Sequence, residues 1–245
     1  MQDDKPYILS TQPLQPWLVD KAAQRGIVLD CLCFVETKSI NDACLKEQIL
    51  GLALTPLIAV FTSTHAVETV RGLLEGKKPA WTIFCTGPVT SNCVNQYFGE
   101  AAIAGVGASA SDLVNLILEK TDVKELVFFC GNRKRGELPE KLFRKGITVR
   151  ELEVYQTVNT PQRVSKHYEG ISFFSPSAVH SFFSVNTIED NTLFFAIGKS
   201  TADTIAGYSR NTVIQSKFPD KELLIEQAID CFSKINPLER GEDIN

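Results

Sequence analysis

Two stretches of the sequence follow one pattern: Ala59-Val-Phe-Thr-Ser-Thr-His-Ala-Val67 and Ser172-Phe-Phe-Ser-Pro-Ser-Ala-Val179. Each has a short apolar run that is typical of a buried strand, then small hydroxyl residues, then the start of a helix. Aligning Thr62 with Ser175 gives an offset of 113 residues (175 − 62). One such match can arise by chance, so its meaning depends on whether others accompany it.

Two further matches occur in the same order along the chain. Ile83-Phe-Cys-Thr-Gly-Pro-Val-Thr90 resembles Phe194-Phe-Ala-Ile-Gly-Lys-Ser-Thr201 at an offset of 111 residues (201 − 90). Arg25-Gly26 and the strand that follows resemble Lys145-Gly146 and its strand, at an offset of 120 residues (146 − 26). Three matches at similar offsets indicate two homologous halves.

The fold class follows from the alternation of short apolar runs with amphipathic helical patterns, which is typical of parallel sheets covered by helices on both faces. We predict an α/β fold with two parallel-sheet domains, flavodoxin-like or Rossmann-like and internally repeated. The strand-like runs Cys31–Thr37 and Glu151–Thr157 are predicted to pair as a two-stranded β-ladder that joins the domains. Residues 1–36 plus 158–235 then form domain 1, 37–157 form domain 2, and 236–245 form a flexible tail.

Composition and charge indicate a protein without nucleic-acid or membrane partners. The 245 residues carry a net charge of −4, whereas nonspecific binding to phosphates needs a basic face. The longest apolar stretch is interrupted by Thr55-Pro56 and is shorter than the roughly 20 residues of a membrane-spanning helix. The first residues lack the basic and apolar regions of a signal peptide. We expect a cytoplasmic protein, and a monomer because no repeated exposed apolar stripe is evident.

The seven cysteines agree with a reducing compartment, and most of them stand in apolar surroundings. We therefore expect reduced and buried thiols. No C-x-x-C pair occurs, but Cys31 and Cys33 form a C-x-C sequence on a strand-like run, which places them on one face.

Six predicted junctions run from a strand through Ser, Thr, Gly or Asn into a helix. Parallel strands end at one edge of a sheet, where the unpaired N–H groups of helix N-termini attract anions. Several such N-termini around a cleft would bind a polyanion, although each could equally be an ordinary capped helix. The candidate binding residues are Thr11, Thr62, Ser63, Thr64, Gly87, Thr90, Asn132, Arg133, Ser175, Ser177, Ser200 and Thr201.

Arg133, Lys134 and Arg135 are the densest basic cluster of the sequence, at a predicted cleft edge. They are either a group that steers an anionic ligand or a solvated helix start, and the sequence does not separate the two.

Metal and nucleotide sites are not expected. His65, His167 and His180 lack the spacing of metal ligands. Gly198-Lys-Ser-Thr resembles the end of a phosphate-binding loop, but Leu193 stands where that loop requires glycine. No G-x-G-x-x-G follows a strand. We therefore expect chemistry without a cofactor.

Several segments together resemble the uroporphyrinogen-III synthase family. The sequence differs from the family pattern at two positions. It has Gln12 where Arg is frequent in the family, and Lys199 where Pro or a small residue is usual. The segments that carry it are Ser10-Thr11-Gln-Pro13, Phe61-Thr-Ser-Thr-His-Ala-Val67, Gly131-Asn-Arg-Lys-Arg-Gly-Glu-Leu-Pro139, Val154-Tyr155-Gln-Thr157, Phe173-Phe-Ser-Pro-Ser-Ala-Val179 and Ala196-Ile-Gly-Lys-Ser-Thr-Ala202.

The resemblance implies two α/β domains with the active site in the cleft between them. It implies a hydro-lyase that cyclises hydroxymethylbilane to uroporphyrinogen III, inverting ring D through a spiro intermediate, without a cofactor or metal. A transient contact with hydroxymethylbilane synthase would then pass the substrate on directly. Tyr155 is the candidate proton donor, because its phenol lies on a tether strand. Ser63, Thr90, Ser177 and Thr201 are expected to bind substrate carboxylates or to orient water.

Two non-catalytic alternatives stay open at this point. One is a two-lobe protein that binds a polycarboxylate or a tetrapyrrole, and the other is a regulatory module that senses a tetrapyrrole. The product isomers formed from hydroxymethylbilane distinguish them from an enzyme.

Overall fold

A computed structural model describes residues 5–134, 136–188 and 191–235. Arg135 of the predicted basic cluster and the predicted tail, 236–245, lie outside the described residues. Contacts between Cα atoms divide the chain into two compact units. Unit 1 contains the described residues up to Glu36 and from Asn159 onward, and unit 2 runs from Thr37 to Val158.

Unit 1 alternates strands and helices in two separate parts of the chain. Its amino-terminal part contains β1 (Tyr7–Ser10), α1 (Pro16–Gln24) and β2 (Val28–Cys31). Its carboxyl-terminal part contains β9 (Gly170–Phe173), α7 (Pro176–Phe183), β10 (Leu193–Ala196), α8 (Lys199–Ala206), β11 (Val213–Gln215) and α9 (Lys221–Ile235).

Unit 2 is continuous in sequence. It contains most of β3 (Val35–Ser39), then α2 (Ala43–Leu52), β4 (Leu57–Phe61), α3 (Thr64–Leu73), β5 (Trp81–Thr86), α4 (Gly87–Phe98), β6 (Ile103–Gly107), α5 (Ala110–Lys120), β7 (Glu125–Gly131), α6 (Glu137–Phe143) and β8 (Thr148–Asn159).

The two sheets share one strand order. The order is β2-β1-β9-β10-β11 in unit 1 and β8-β7-β4-β5-β6 in unit 2, with β3 added beside β8. Apart from the β3–β8 pair, the neighbouring strands run parallel. Within unit 1 the order by sequence is 2-1-3-4-5, which is flavodoxin-like. The predicted α/β class with repeated parallel-sheet domains is confirmed.

Each sheet buries both faces, because its strands are apolar on both sides. In unit 1, Phe173 and Leu9 pack toward α7 and α8, while Ile8 and Phe195 pack toward α1 and α9. In unit 2, one face meets α2, α3 and α4, and the other meets α5 and α6. The helices therefore cover the two faces of each sheet, and the carboxyl ends of the strands are not part of these packing contacts.

The predicted strand Cys31–Thr37 is interrupted at its start, because the chain leaves one sheet before it joins the next. β2 ends at Cys31 and β3 begins at Val35. Between them, the Cys33 carbonyl accepts hydrogen bonds from Thr160 Oγ1 at 2.9 Å and Gln162 Nε2 at 2.7 Å. Polar side chains of the segment that follows β8 thus replace sheet partners at this position.

β3 and β8 form the two-stranded ladder that the sequence predicted. The Thr160 N–H donates to the Phe34 carbonyl at 3.0 Å, and the Ile40 N–H donates to the Val154 carbonyl at 2.9 Å. Because the partner number falls as the residue number rises, the two strands are antiparallel.

None of the helices among the described residues is long and apolar enough to cross a membrane.

Candidate active site

The strand order locates a candidate site in each unit. Ligands of open parallel sheets bind outside the carboxyl ends of the strands, where neighbouring connections leave in opposite directions. That point lies between β1 and β9 in unit 1 and between β4 and β7 in unit 2. The hydroxyl residues selected from the sequence follow these strands.

In unit 2, the β4 strand leads directly into α3. Thr62 is exposed, and Ser63 is the N-cap, whose Oγ accepts a hydrogen bond from the His65 N–H at 3.2 Å. Thr64 is half-buried in the first turn. The three predicted residues therefore lie at the carboxyl edge of the sheet, with Ser63 already used as a cap.

The adjacent β5 strand leads into α4, which begins without a side-chain cap. Gly87 opens this helix at a φ of 70°, a left-handed conformation that favours glycine, and Pro88 follows it. Without a cap, the first N–H groups of α4 have no side-chain acceptor and suit an anion. Thr90 is only 7% exposed, so its predicted contact with a ligand would need the helix start to move.

Tyr155 reaches this edge because of a β-bulge in β8. Cys130 of β7 pairs with Glu153, whereas Gly131 pairs with Tyr155, so β8 has one extra residue, Val154. Val154 and Tyr155 consequently pack against the same apolar cluster, although neighbouring strand residues normally point to opposite faces. The bulge turns the phenol ring over the end of β7.

Gly131 leaves the space that the Tyr155 ring occupies. A Cβ atom on Gly131 would lie 2.3 Å from Tyr155 Cε2, which is closer than atoms can approach. The sequence indicated Gly131 only as part of a segment that follows a strand. That Gly131 leaves room for the Tyr155 ring was not predicted. A glycine directly after a buried strand is the signal that could have suggested it.

The Tyr155 hydroxyl has no hydrogen-bond partner among the residues that the structure describes. Its side chain is half-buried, and its ring centroid lies 5.8 Å from that of His65. His65 Nδ1 in turn lies 3.9 Å from Glu68 Oε2. His65 was not among the candidates that the sequence indicated, although it stands within the repeated stretch Ala59–Val67. The aromatic ring of Tyr155 is therefore held by packing, while its hydroxyl makes no hydrogen bond to the described residues.

Asn132 ties the end of β7 to β8. Its Oδ1 accepts from the Thr157 N–H at 2.9 Å, and its Nδ2 donates to the Thr157 carbonyl at 3.3 Å. Asn132 therefore positions the strand that carries Tyr155. Arg133 is exposed in the turn that follows.

Lys134 of the predicted basic cluster is held by ion pairs within unit 2. Lys134 Nζ lies 2.8 Å from Glu151 Oε2 and 3.0 Å from Glu153 Oε1. Hydrogen bonds to these two carboxylates raise the pKa of Lys134 despite its partial burial. Because β8 supplies both carboxylates, Lys134 stabilises the bulged strand.

In unit 1, Thr11 holds the loop after β1 in place. Its Oγ1 donates to the Ser172 carbonyl at 2.8 Å, its N–H donates to the same oxygen at 3.1 Å, and the residue is 1% exposed. The predicted contact of the Thr11 hydroxyl with a ligand would require breaking this buried bond.

The helices α7 and α8 start side by side, because β9 and β10 are paired. Ser175 caps α7 by accepting the Ala178 N–H at 3.2 Å, and Ser177 is half-buried in the first turn. α8 has no side-chain cap after Gly198, and Ser200 is exposed in its first turn. Thr201 is 1% exposed and belongs to the helix interior.

The structure corrects the alignment of the two halves. The caps Ser63 and Ser175 differ by 112 residues (175 − 63), and the helix-start residues Thr86 and Gly198 also differ by 112 (198 − 86). The offsets of 113 and 111 that the sequence suggested were each wrong by one. In both units, a serine-capped helix lies next to an uncapped one.

A turn separates the strand from the helix at two of the six predicted junctions. After β1 the helix begins at Pro16, and after β7 it begins at Glu137, so turns follow Ser10 and Gly131. The junctions of β4, β5, β9 and β10 are direct. Four direct helix starts therefore remain as candidate anion sites, two in each unit, and those of α3 and α7 already carry a serine cap.

These edges offer backbone N–H groups, hydroxyls and one phenol, which suit a ligand with several carboxylates and a reaction that needs one proton. The structure described here, without Arg135, 189–190 and the two ends, contains no group of three or more side chains that could bind a metal ion.

Comparisons with known proteins identify related sequences and folds. The family described as uroporphyrinogen-III synthase HemD matches residues 18–226. A uroporphyrinogen-III synthase of Saccharomyces cerevisiae is 34% identical over 114 residues, which are 40% of this chain and 42% of the yeast protein. The aligned part thus spans about two fifths of that relative.

Two solved structures share the fold. The uroporphyrinogen-III synthetase of Helicobacter pylori gives a TM-score of 0.65 at 16% identity, covering 93% of this chain and 99% of that one. A mutant uroporphyrinogen III synthase of Thermus thermophilus gives 0.63 at 14% identity, covering 94% and 99%. At such identities the likeness concerns the fold alone.

Proposed function

The chain belongs to the uroporphyrinogen-III synthase family, and we propose that it cyclises hydroxymethylbilane to uroporphyrinogen III with loss of water, as a hydro-lyase. The observation that carries the proposal is the phenol of Tyr155, whose hydroxyl has no hydrogen-bond partner among the described residues and whose ring lies beside the start of α3. The reaction needs one proton donor and a means of folding a flexible chain, and these edges offer both.

At the carboxyl edge of each unit, main-chain N–H groups and hydroxyls can bind acetate and propionate groups of the substrate. The uncapped starts of α4 and α8 supply N–H groups, and exposed or half-buried hydroxyls next to them supply further donors. Each helix N-terminus favours an anion by about 0.3–1 kcal/mol, and more when partly buried. This local field outweighs the small negative net charge, because salt screens distant charges.

Tyr155 donates the proton that lets the terminal hydroxyl leave as water. The carbon left behind is a cation stabilised by the pyrrole nitrogen, and the substituted carbon of ring D attacks it to give a spiro intermediate. The bond between this substituted carbon and its original methylene bridge then breaks. The bridge re-attaches to the free carbon on the other side of ring D, which inverts the ring. The proton released when the pyrrole regains its aromaticity restores the phenol.

Positioning supplies most of the remaining acceleration, because the substrate carries both its cation and its nucleophile. Well-oriented intramolecular reactions gain roughly 7–11 kcal/mol. No cofactor is needed for any of these steps.

The test is to add the purified protein to freshly prepared hydroxymethylbilane and to separate the product isomers by chromatography. We expect mostly the type III isomer, whereas the spontaneous reaction gives type I. Heat-denatured protein is the control. A product mixture identical to that of the control would leave only a binding protein, the alternative function.

The proposal also includes a cytoplasmic location and a monomer. The exposed thiols of Cys31 and Cys44 suit a reducing compartment. Because the substrate closes spontaneously, a transient contact with hydroxymethylbilane synthase would shorten its time in solution.

A further inference from the structure

Cys31 and Cys33 form a pair of thiols at the end of β2. Cys31 is exposed and Cys33 is half-buried, so the expectation of buried thiols is wrong for this pair. Only Leu32 separates the two residues, and the Cys33 thiol contributes to the electrostatic environment of the Cys31 thiol. A pair of neighbouring thiols has a chemistry that a single thiol lacks.

The backbone around the pair is held by hydrogen bonds. The Leu32 N–H donates to the Ser10 carbonyl at 3.0 Å, and Thr160 and Gln162 hold the Cys33 carbonyl. Residues two apart have Cα atoms at most about 6.6 Å apart, at the upper end of the roughly 4.4–6.8 Å that disulfides span. Closing the disulfide therefore requires the chain after Cys31 to contract locally, and β2 ends at that residue.

We propose that Cys31 and Cys33 are a modification site at which a small-molecule disulfide, such as oxidised glutathione, converts the two thiols into an intramolecular disulfide. One thiolate attacks the small disulfide, forms a mixed disulfide and expels one small thiolate. The second cysteine then attacks the mixed disulfide, closes the S–S bond and expels the second small thiolate. The protein loses two electrons and two protons, and the small disulfide gains them as two thiols.

The site is slow to react and easy to reverse. Although Cys31 as a residue is exposed, partial desolvation of its thiol raises the pKa of Cys31 to about 11, with a further contribution from Cys33, so little thiolate is present at pH 7. A disulfide between residues two apart closes a small, strained ring, which a thiol reductant opens readily. The pair therefore remains reduced until disulfide is in excess.

The disulfide also changes the loop after β1. The Cys31 thiol now donates a hydrogen bond to the Gln12 carbonyl at 2.9 Å, and oxidation removes this donor. The Gln12 carbonyl keeps a second donor, Ser10 Oγ at 2.7 Å. The loop therefore loses one hydrogen bond and retains another.

Cys44 is the matched control within the same chain. It is exposed, like Cys31, but its described contact is with Gln48 Nε2, at 3.4 Å, and not with another thiol. A small disulfide should therefore leave a lasting mixed disulfide on Cys44.

The experiment incubates the full-length protein with excess oxidised glutathione for hours, blocks free thiols by alkylation and maps the peptides by mass spectrometry. We expect the peptide with Cys31 and Cys33 to lose two hydrogens and to carry at least 10-fold less glutathione adduct than Cys44. Dithiothreitol should restore both thiols. A stable adduct on Cys31 equal to that on Cys44, or a peptide that stays fully reduced while Cys44 reacts, would overturn the proposal.

The variant Cys33→Ser tests whether Cys31 carries little adduct because Cys33 displaces the glutathione or because glutathione does not reach Cys31. Without its partner thiol, Cys31 should accumulate glutathione adduct to the level of Cys44, and Cys44→Ser should leave the pair's disulfide unchanged. Circular dichroism of each variant confirms that the fold is intact. If Cys33→Ser left the adduct on Cys31 as low as in the unaltered chain, Cys33 would not be the resolving thiol. This test requires no enzymatic activity.

Discussion

Tyr155 owes its orientation to one extra residue in β8. The bulge at Val154 brings the ring over Gly131, and Asn132 fastens the following residues of the strand. The sequence indicated Tyr155 as a candidate, but neither the bulge nor the contact with Gly131 could be predicted. Both depend on the register between β7 and β8, which periodicity alone does not define.

Replacing Tyr155 by Phe removes the proton donor and keeps the ring. We expect turnover to fall 10-fold or more, the low end of general acid effects, with unchanged thermal unfolding. Steady-state rates of type III formation measure this. The matched control is Tyr97→Phe in the same unit, whose ring lies under the Arg71 guanidinium, and its rate should not change. Equal rates for both variants would remove Tyr155 from the mechanism.

Replacing Gly131 by Ala displaces the Tyr155 ring, because the added methyl would overlap it. We expect activity to fall at least as far as for Tyr155→Phe, while the sheet still forms. Gly51→Ala is the control, because a Cβ at Gly51 meets no atom within 4 Å, and it should stabilise α2 by about 0.5–1 kcal/mol. Full activity of the Gly131 variant would show that the position of the ring does not matter.

At the scale of single helices, the start of each helix decides what its strand edge can bind. Sequence composition predicted where these helices begin, since Ser, Thr and Gly cluster after the strands. It did not identify the cap among neighbouring hydroxyls, as in Thr62-Ser63-Thr64, so the repeat alignment was displaced by one residue. Nor did it show that Thr90 and Thr201 turn inward, because the rotation of a helix depends on its packing against the sheet.

The two serines of the α7 region have opposite effects on stability. Ser175→Ala removes the cap that accepts the Ala178 N–H and should lower the free energy of unfolding by about 1 kcal/mol. Ser181 is buried, and its Oγ has no hydrogen-bond partner among the described residues, so Ser181→Ala should raise it by about 1 kcal/mol. Urea titration of both variants measures the difference, and two changes of the same sign would contradict the assignment.

At the scale of the whole molecule, two copies of one five-stranded pattern account for the chain, with unit 2 inserted between the two parts of unit 1. The alternation of strands and helices sufficed to predict this class from the sequence. The strand order did not follow from it, because parallel neighbours are connected through helices and need not be consecutive.

Unit 2 should fold by itself, because it is continuous and its two apolar clusters contain residues of that unit alone. We expect a fragment of residues 37–158 to unfold cooperatively in urea and to reproduce the amide spectrum of those residues in the full chain. A fragment with native-like secondary structure but no cooperative transition would show that unit 2 depends on unit 1.

The central claim is that main-chain N–H groups at the carboxyl edges bind the acidic side chains of a tetrapyrrole. The most direct measurement is a titration of the ¹⁵N-labelled full chain with uroporphyrinogen III, followed by amide chemical shifts. We predict the largest changes at the starts of the four helices, at 63–65, at 87, 89 and 90, at 175, 177 and 178, and at 198–201, since Pro88 and Pro176 have no amide N–H. Changes confined to the opposite ends of the strands, near Leu57, Trp81 and Leu193, would contradict the claim.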